Sequence, residues 1–263
     1  MSIKKPDDWE RWEFENAKMR RSLPQDIVPS ESTENDDFLG FILSIGMVFN
    51  DFKGLVLLND TMLLVYKSEP VEINEHFGER AGILIQLTRM LYSTVYEVFV
   101  LIRDSTNIIN SKRFQQLLQR TPANTQLVWE MLAKIANGED VDDGRFDQFV
   151  ELKNLLVQAR NNIGFHYQTR GRLIEGFRRF FFTGISTAPP ETREWSLRSI
   201  RGTAFALSRY YYVDAAVQGY YVNLFGDEKL AQQRNEETFE LVNLIVYTIH
   251  DILAEYHSSL PGR

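Results

Sequence analysis

The stretch ERAGILIQLTRMLYSTVYEVFVLIRD, Glu79–Asp104, decides the fold of this chain. Ile83, Leu84, Leu87, Leu91, Val95, Val98, Phe99 and Ile102 recur three or four positions apart. That spacing lays them along one face of a helix. No proline interrupts the run. Toward the N-terminus, KSEPVEINEHFG (Lys67–Gly78) reads as a connector, and Phe38–Lys67 as another heavily apolar helix. Its most apolar part, FLGFILSIGMVF (Phe38–Phe49), is twelve residues long, with Asn50, Asp51 and Lys53 close behind. A membrane span needs about twenty apolar residues, so a buried core helix and no membrane are expected. PQDIVPSESTENDD (Pro24–Asp37) is a linker, with Asp36 and Asp37 placed to cap the apolar helix. Residues 1–23 are charged, with Trp9, Trp12 and Phe14 suiting a short amphipathic helix and no apolar core of signal-peptide type.

Toward the C-terminus, short helices are expected near Lys112–Gln119 and over Pro122–Asn137, the second with proline in its first turn. NGEDVDDG (Asn137–Gly144) is an acidic turn. A fifth helix begins near Arg145 and carries Phe146, Phe149, Val150, Leu152, Leu155 and Leu156. GISTAPPET (Gly184–Thr192) breaks the chain. One helix then runs from about Arg193 to Phe225, ended by Gly226, and a last one from about Glu228 to Tyr256. Neither period-two strands nor a fixed internal repeat is visible. The fold expected is all-α, a bundle of four or five long helices with short accessory ones. Residues 1–36 would form an N-terminal helix and acidic linker, and 37–263 a single helical domain.

Composition narrows the function. Hydrophobic residues make up 44% of the 263 and aromatics 13%, which suits a globular protein with a large core. Cysteine is absent, which removes disulfides, thiolate metal sites and cysteine nucleophiles. A reducing, cytoplasmic setting is expected. The net charge of −7 argues against a polyanionic partner. Its distribution does not: Arg160 to Arg209 holds nine arginines, no lysine and three acids, Glu175, Glu191 and Glu194. That local excess has two readings, a solvated helix face or an anion-binding one.

The basic segment opens on QARNNIGFHYQ, Gln158–Gln168, which holds one of only four histidines. Arg160 and His166 are six positions apart, about 600° of helical turn. On a straight helix they face sides some 120° apart. Acting on one phosphate would require the helix to bend or stop between them. Gly164 suits a left-handed helix end, and Asn161 and Asn162 offer hydrogen-bonding groups for a turn.

Arg160-Asn161-Asn162-Ile163-Gly164-Phe165-His166, at the end of an amphipathic helix, resembles the arginine-polar-spacer-histidine signature of the HEPN superfamily (higher eukaryotes and prokaryotes nucleotide-binding). The resemblance covers this motif and the general helix pattern. It implies an all-α domain acting as a metal-independent endoribonuclease, often a toxin–antitoxin or antiviral defence effector. Arg160 and His166 would be catalytic, with Asn161 orienting them, in a composite site of a homodimer. RNA carries its own nucleophile, the 2′-hydroxyl, so neither cofactor nor metal is implied. Histidine can exchange a proton near neutral pH, and arginine's fork suits the charge that builds on phosphorus. Tyr167 directly follows the histidine, whereas toxin members with a modifiable tyrosine usually have one residue between. Asn162 and Tyr167 would support the site.

Downstream, Arg170, Arg172, Arg178 and Arg179 interleave with Phe177, Phe180, Phe181 and Phe182. Phosphate pairing and base stacking would suit single-stranded RNA. The alternative makes the phenylalanines core and the arginines surface. Glu97 stands among apolar neighbours in sequence, so a buried carboxylate with a partner is expected. That partner would be Arg89 or an arginine on another helix, or Arg160 itself. His76, His250 and His257 lack metal-ligand spacing, and the tyrosines at 210–212 and 220–221 read as packing. Besides RNA, an antitoxin or another defence-system subunit is the partner expected. The rival reading is a non-catalytic helical interaction or nucleotide-binding protein, in which the motif is only a helix end.

Overall fold

A computed structural model describes residues 24–31, 33–34, 36–65, 79–141, 144–163, 172–182 and 211–260. Among them the protein is all-α, with no strand. Helices α1 (Pro24–Ile27), α2 (Asp36–Val65) and α3 (Glu79–Asp104) come first. Next are α4 (Thr106–Ile109), α5 (Lys112–Leu118) and α6 (Ala123–Asn137). A 3₁₀ turn (Gly144–Phe146) leads into α7 (Asp147–Ile163). The series ends with α8 (Arg172–Phe182), α9 (Tyr211–Phe225) and α10 (Glu228–Ser259). The expected amphipathic helix around Trp9, and the part of the expected 193–225 helix before Tyr211, lie outside the described residues.

The ends follow local chemistry. Ser111 caps α5 by accepting from the Phe114 amide at 3.3 Å. Pro122 immediately precedes α6, where its missing N–H costs nothing. Gly138 closes α6 in the left-handed region, φ 73°. Gly226, φ 109°, separates α9 from α10. Asp227 then caps α10, accepting from the Leu230 amide at 2.8 Å.

The described chain forms two compact units, and α2, α3 and α10 contribute residues to both. In the first, Phe41, Phe114 and Trp129 are buried and meet edge to face or tilted, with ring centroids 5.2–6.2 Å apart. Tyr256 packs on Phe38 and donates its hydroxyl to the Ile27 carbonyl at 2.9 Å. The buried Thr125 hydroxyl donates to Asp251.

Helix α2 begins two residues before the expected Phe38. It runs 30 residues, and its Asp36–Met62 stretch is long and apolar enough to cross a membrane by length and composition alone. Phe38, Phe41, Ile42, Ile45 and Phe52 are buried, whereas Leu43, Met47, Leu57 and Leu64 face outward.

The second unit holds the motif. On α7, Phe149, Leu152, Leu156 and Ala159 are buried at helical spacing. Helix α9 packs along α8 and also touches α7. Tyr92 of α3 meets Tyr221 and Phe225 of α9 edge to face, at 5.3 and 5.8 Å. Arg234 of α10 joins Glu151 of α7 at 2.6 Å and Glu237 at 2.8 Å. Arg234 and Glu237 are almost buried, with side chains 12% and 7% exposed.

Helices α8 and α9 meet through two glycines. A Cβ on Gly176 would fall on the Ala216 carbonyl oxygen and lie 2.7 Å from the Tyr220 nitrogen. A Cβ on Gly219 would fall on the Gly176 carbonyl oxygen. The backbones touch with nothing between them, and Phe180, Phe181, Ala215 and Val222 close into a buried cluster beside the crossing.

Candidate functional site

Arg160 stands one residue beyond the buried Ala159, at the margin of the core stripe. Its Nε and Nη2 donate to Oε1 of Glu97 on α3, at 3.1 and 2.9 Å. Its Nη1 donates to the Asn161 side-chain oxygen at 3.2 Å. Its guanidinium carbon lies 5.4 Å from the centre of the Tyr96 ring, close enough for a cation–π contribution. Glu97 and Asn161 therefore orient the fork without occupying all of it. Arginine has five N–H donors, and these contacts engage three.

The expectation of a buried Glu97 is corrected. Its side chain is 47% exposed, against 27% for Arg160. Adjacent residues on a helix point about 100° apart, so Val95 and Val98 can be buried while Glu97 faces outward. An ion pair this exposed contributes little stability on its own. Of the partners expected for it, Arg160 is the one it meets in the second unit.

The two asparagines do different things. Asn161 serves Arg160, whereas Asn162 donates through Nδ2 to the Tyr220 hydroxyl on α9 at 2.6 Å. Tyr220 was expected only to pack, and it does that as well, being buried. Burial pushes its phenol pKa up, while the Asn162 bond and the charge of Arg172 pull it down; the net shift is upward. Gly164, Phe165, His166, Tyr167 and Arg170 lie outside the described residues.

The basic helix α8 divides its phenylalanines. Phe180 and Phe181 are core, Phe177 is half-buried, and Phe182 is 75% exposed. Arg172 is exposed and pairs with Glu175 at 3.2 Å. Arg178 is exposed at the rim of a groove of about 380 Å³, walled by Leu173, Ile174, Phe177, Phe182, Val213 and Ala216. Arg179 is half-buried. The surface reading thus fits Arg172, Arg178 and Phe182, and the packing reading fits Phe180 and Phe181.

In the first unit, His250 sits beside Asp251, with Nδ1 3.5 Å from Oδ1, a local contact of the expected kind. Among the described residues, no three His, Asp or Glu side chains are grouped to hold a metal ion. Sequence reading missed Tyr96 and the hydroxyl role of Tyr220. Neither carries a local signal, because each meets its partner across 58 or more positions. No family model matches the chain, and no curated protein or solved structure matches it either.

Proposed function

We propose that the protein is a metal-independent endoribonuclease of HEPN type, a cytoplasmic toxin or defence effector, with Arg160 and His166 at its site. The observation that carries this reading is the guanidinium of Arg160, fixed by Glu97 and Asn161 with two N–H donors to spare. An oriented arginine with unfilled donors suits the two oxygens of a phosphodiester, and its orientation is set before substrate arrives. His166 would take the proton of the ribose 2′-hydroxyl as O2′ bonds phosphorus. The P–O5′ bond then breaks, and a proton is delivered to O5′ from the second motif of a homodimer. The products are a 2′,3′-cyclic phosphate and a 5′-hydroxyl. Arg170, Arg172, Arg178 and Arg179 would track the strand, with Phe182 as a stacking surface. Asn162 and Tyr167 support the site, and an antitoxin or another defence subunit would restrain it.

The test is incubation of purified protein with total RNA in EDTA. Wild type is expected to leave cyclic-phosphate ends, and His166→Ala to leave the RNA intact while its helicity and melting hold. Equal cleavage by the variant, or none by wild type, overturns the reading.

One observation favours a second reading, a non-catalytic helical interaction or nucleotide-binding protein. The Glu97 contact is also what a plain structural ion pair would make. Under that reading Arg160→Lys changes nothing in the RNA assay. Under the ribonuclease reading it cuts cleavage at least tenfold, because an ammonium cannot form the planar fork.

A further inference from the structure

The Tyr220 hydroxyl stands where three elements meet. The Gly176–Gly219 crossing fixes α9 on α8 backbone to backbone, and Tyr220 is the next residue after that contact. Its own nitrogen and Cβ lie 2.7 and 3.0 Å from where a Gly176 Cβ would be. The tyrosine therefore has little freedom to slide or rotate with respect to α8. From this fixed base its hydroxyl accepts from Asn162, in the last described turn of α7. Arg160 lies half a turn earlier on the same helix. Arg172, the first residue of α8, is close enough for its charge to act on the same phenol.

We propose that Tyr220 is a positioning residue. By holding Asn162 it fixes the end of α7, so that Arg160 and Arg172 face one RNA strand as a set. The inference rests on the ribonuclease reading for the identity of the strand, but not for the mechanical link. Helix ends fray unless something ties them, and a hydrogen bond to a clamped tyrosine is such a tie. The ring alone would fill the space. The hydroxyl is what makes the position specific.

Tyr220→Phe keeps the ring and deletes the bond, and Asn162→Ala deletes it from the other side. Amide hydrogen exchange across Arg160–Ile163 is expected to rise about tenfold in each, the scale of one hydrogen bond. Exchange in α5 and α6 should stay as in wild type. In the RNA assay kcat should fall about tenfold with KM unchanged. The double variant should lose no more than either single one, as two halves of one interaction do. Unchanged exchange at Arg160–Ile163 overturns the inference whatever the activity, and so does raised exchange with an undiminished kcat. If wild type cleaves no RNA, the ribonuclease reading falls, and the exchange measurement still decides whether Tyr220 fixes the end of α7 through Asn162.

Discussion

Replacing Gly219 by alanine should destabilise the second unit by about 2 kcal/mol, although alanine is the better helix former. The three atoms nearest the new methyl would all be backbone of α8: the Gly176 carbonyl oxygen, its carbon at 2.8 Å and the Phe180 nitrogen at 3.1 Å. Non-bonded carbons rest about 3.5–4.0 Å apart, so α8 and α9 must part by about 1 Å. A side chain could rotate away from the methyl, but a backbone cannot. Overpacking of this kind costs about 1–3 kcal/mol, and a backbone obstacle places it at the upper end. Gained helix propensity returns about 0.5–1 kcal/mol. Separation also loosens Phe180 and Phe181, which are buried beside the crossing. At this chain length the net loss corresponds to a melting point lower by about 4–8 °C. The comparison is Gly54→Ala on α2, where nothing lies within 4 Å of the added Cβ. That variant should gain about 0.5–1 kcal/mol. Urea unfolding followed by far-ultraviolet circular dichroism measures both. Opposite signs are expected, and a Gly219→Ala protein as stable as wild type would refute the backbone-contact argument.

Other perturbations reach different parts of the molecule. Arg234→Leu leaves the nearly buried Glu237 with only the Gln233 amide at 2.9 Å; urea unfolding should show a loss of about 3 kcal/mol, mostly recovered when Glu237 is also made leucine. Burial raises the phenol pKa values of Tyr92, Tyr220, Tyr221 and Tyr256. Their neutral forms therefore add stability that is complete below about pH 10 and lost as pH climbs through the folded values. Part of the tyrosinate absorbance should then appear late, together with loss of helix, and smooth titration of all 11 tyrosines with helix intact would contradict this. Burial also pushes the Asp251 carboxyl up, but its bonds to His250 and Thr125 outweigh that and hold it below its ordinary value. Its contribution is present above about pH 4 and lost as pH falls through the lower folded value; Asp251→Asn should flatten the acid limb of a stability–pH curve, and an unchanged limb would count against the linkage.

Helices with their own periodicity were legible in the sequence. Leu87, Leu91, Val95, Val98, Phe99 and Ile102 are buried as the spacing of Glu79–Asp104 requires. Gly226 does end α9, because a left-handed residue announces itself in one letter. Helix α8 was not legible as a helix. RRFFF reads as a patch until α9, distant in sequence, supplies the surface that buries Phe180 and Phe181. Glu97 misled for a related reason, since its apolar neighbours in sequence are not its neighbours in space. The Glu97–Arg160 and Asn162–Tyr220 contacts join positions 63 and 58 apart, where no local pattern can point. Arg160 and Asn161 could be singled out from the chain alone. Of what holds them, Glu97 was among the supports expected for Arg160, whereas the Tyr96 ring and the Tyr220 hydroxyl were not.

The glycine crossing also limits how the chain can vary over generations. Every single-base change in a glycine codon that still encodes a different amino acid adds at least a Cβ, and at Gly176 or Gly219 that atom meets backbone. An overpacked pair elsewhere can be rescued by trimming the opposing residue. Here the nearest obstacles are backbone atoms, of Ala216 and Tyr220 at Gly176 and of Gly176 and Phe180 at Gly219, which no substitution removes. Loss of either one has no compensating substitution within the pair, so recovery requires reversion or the rebuilding of a whole helix interface.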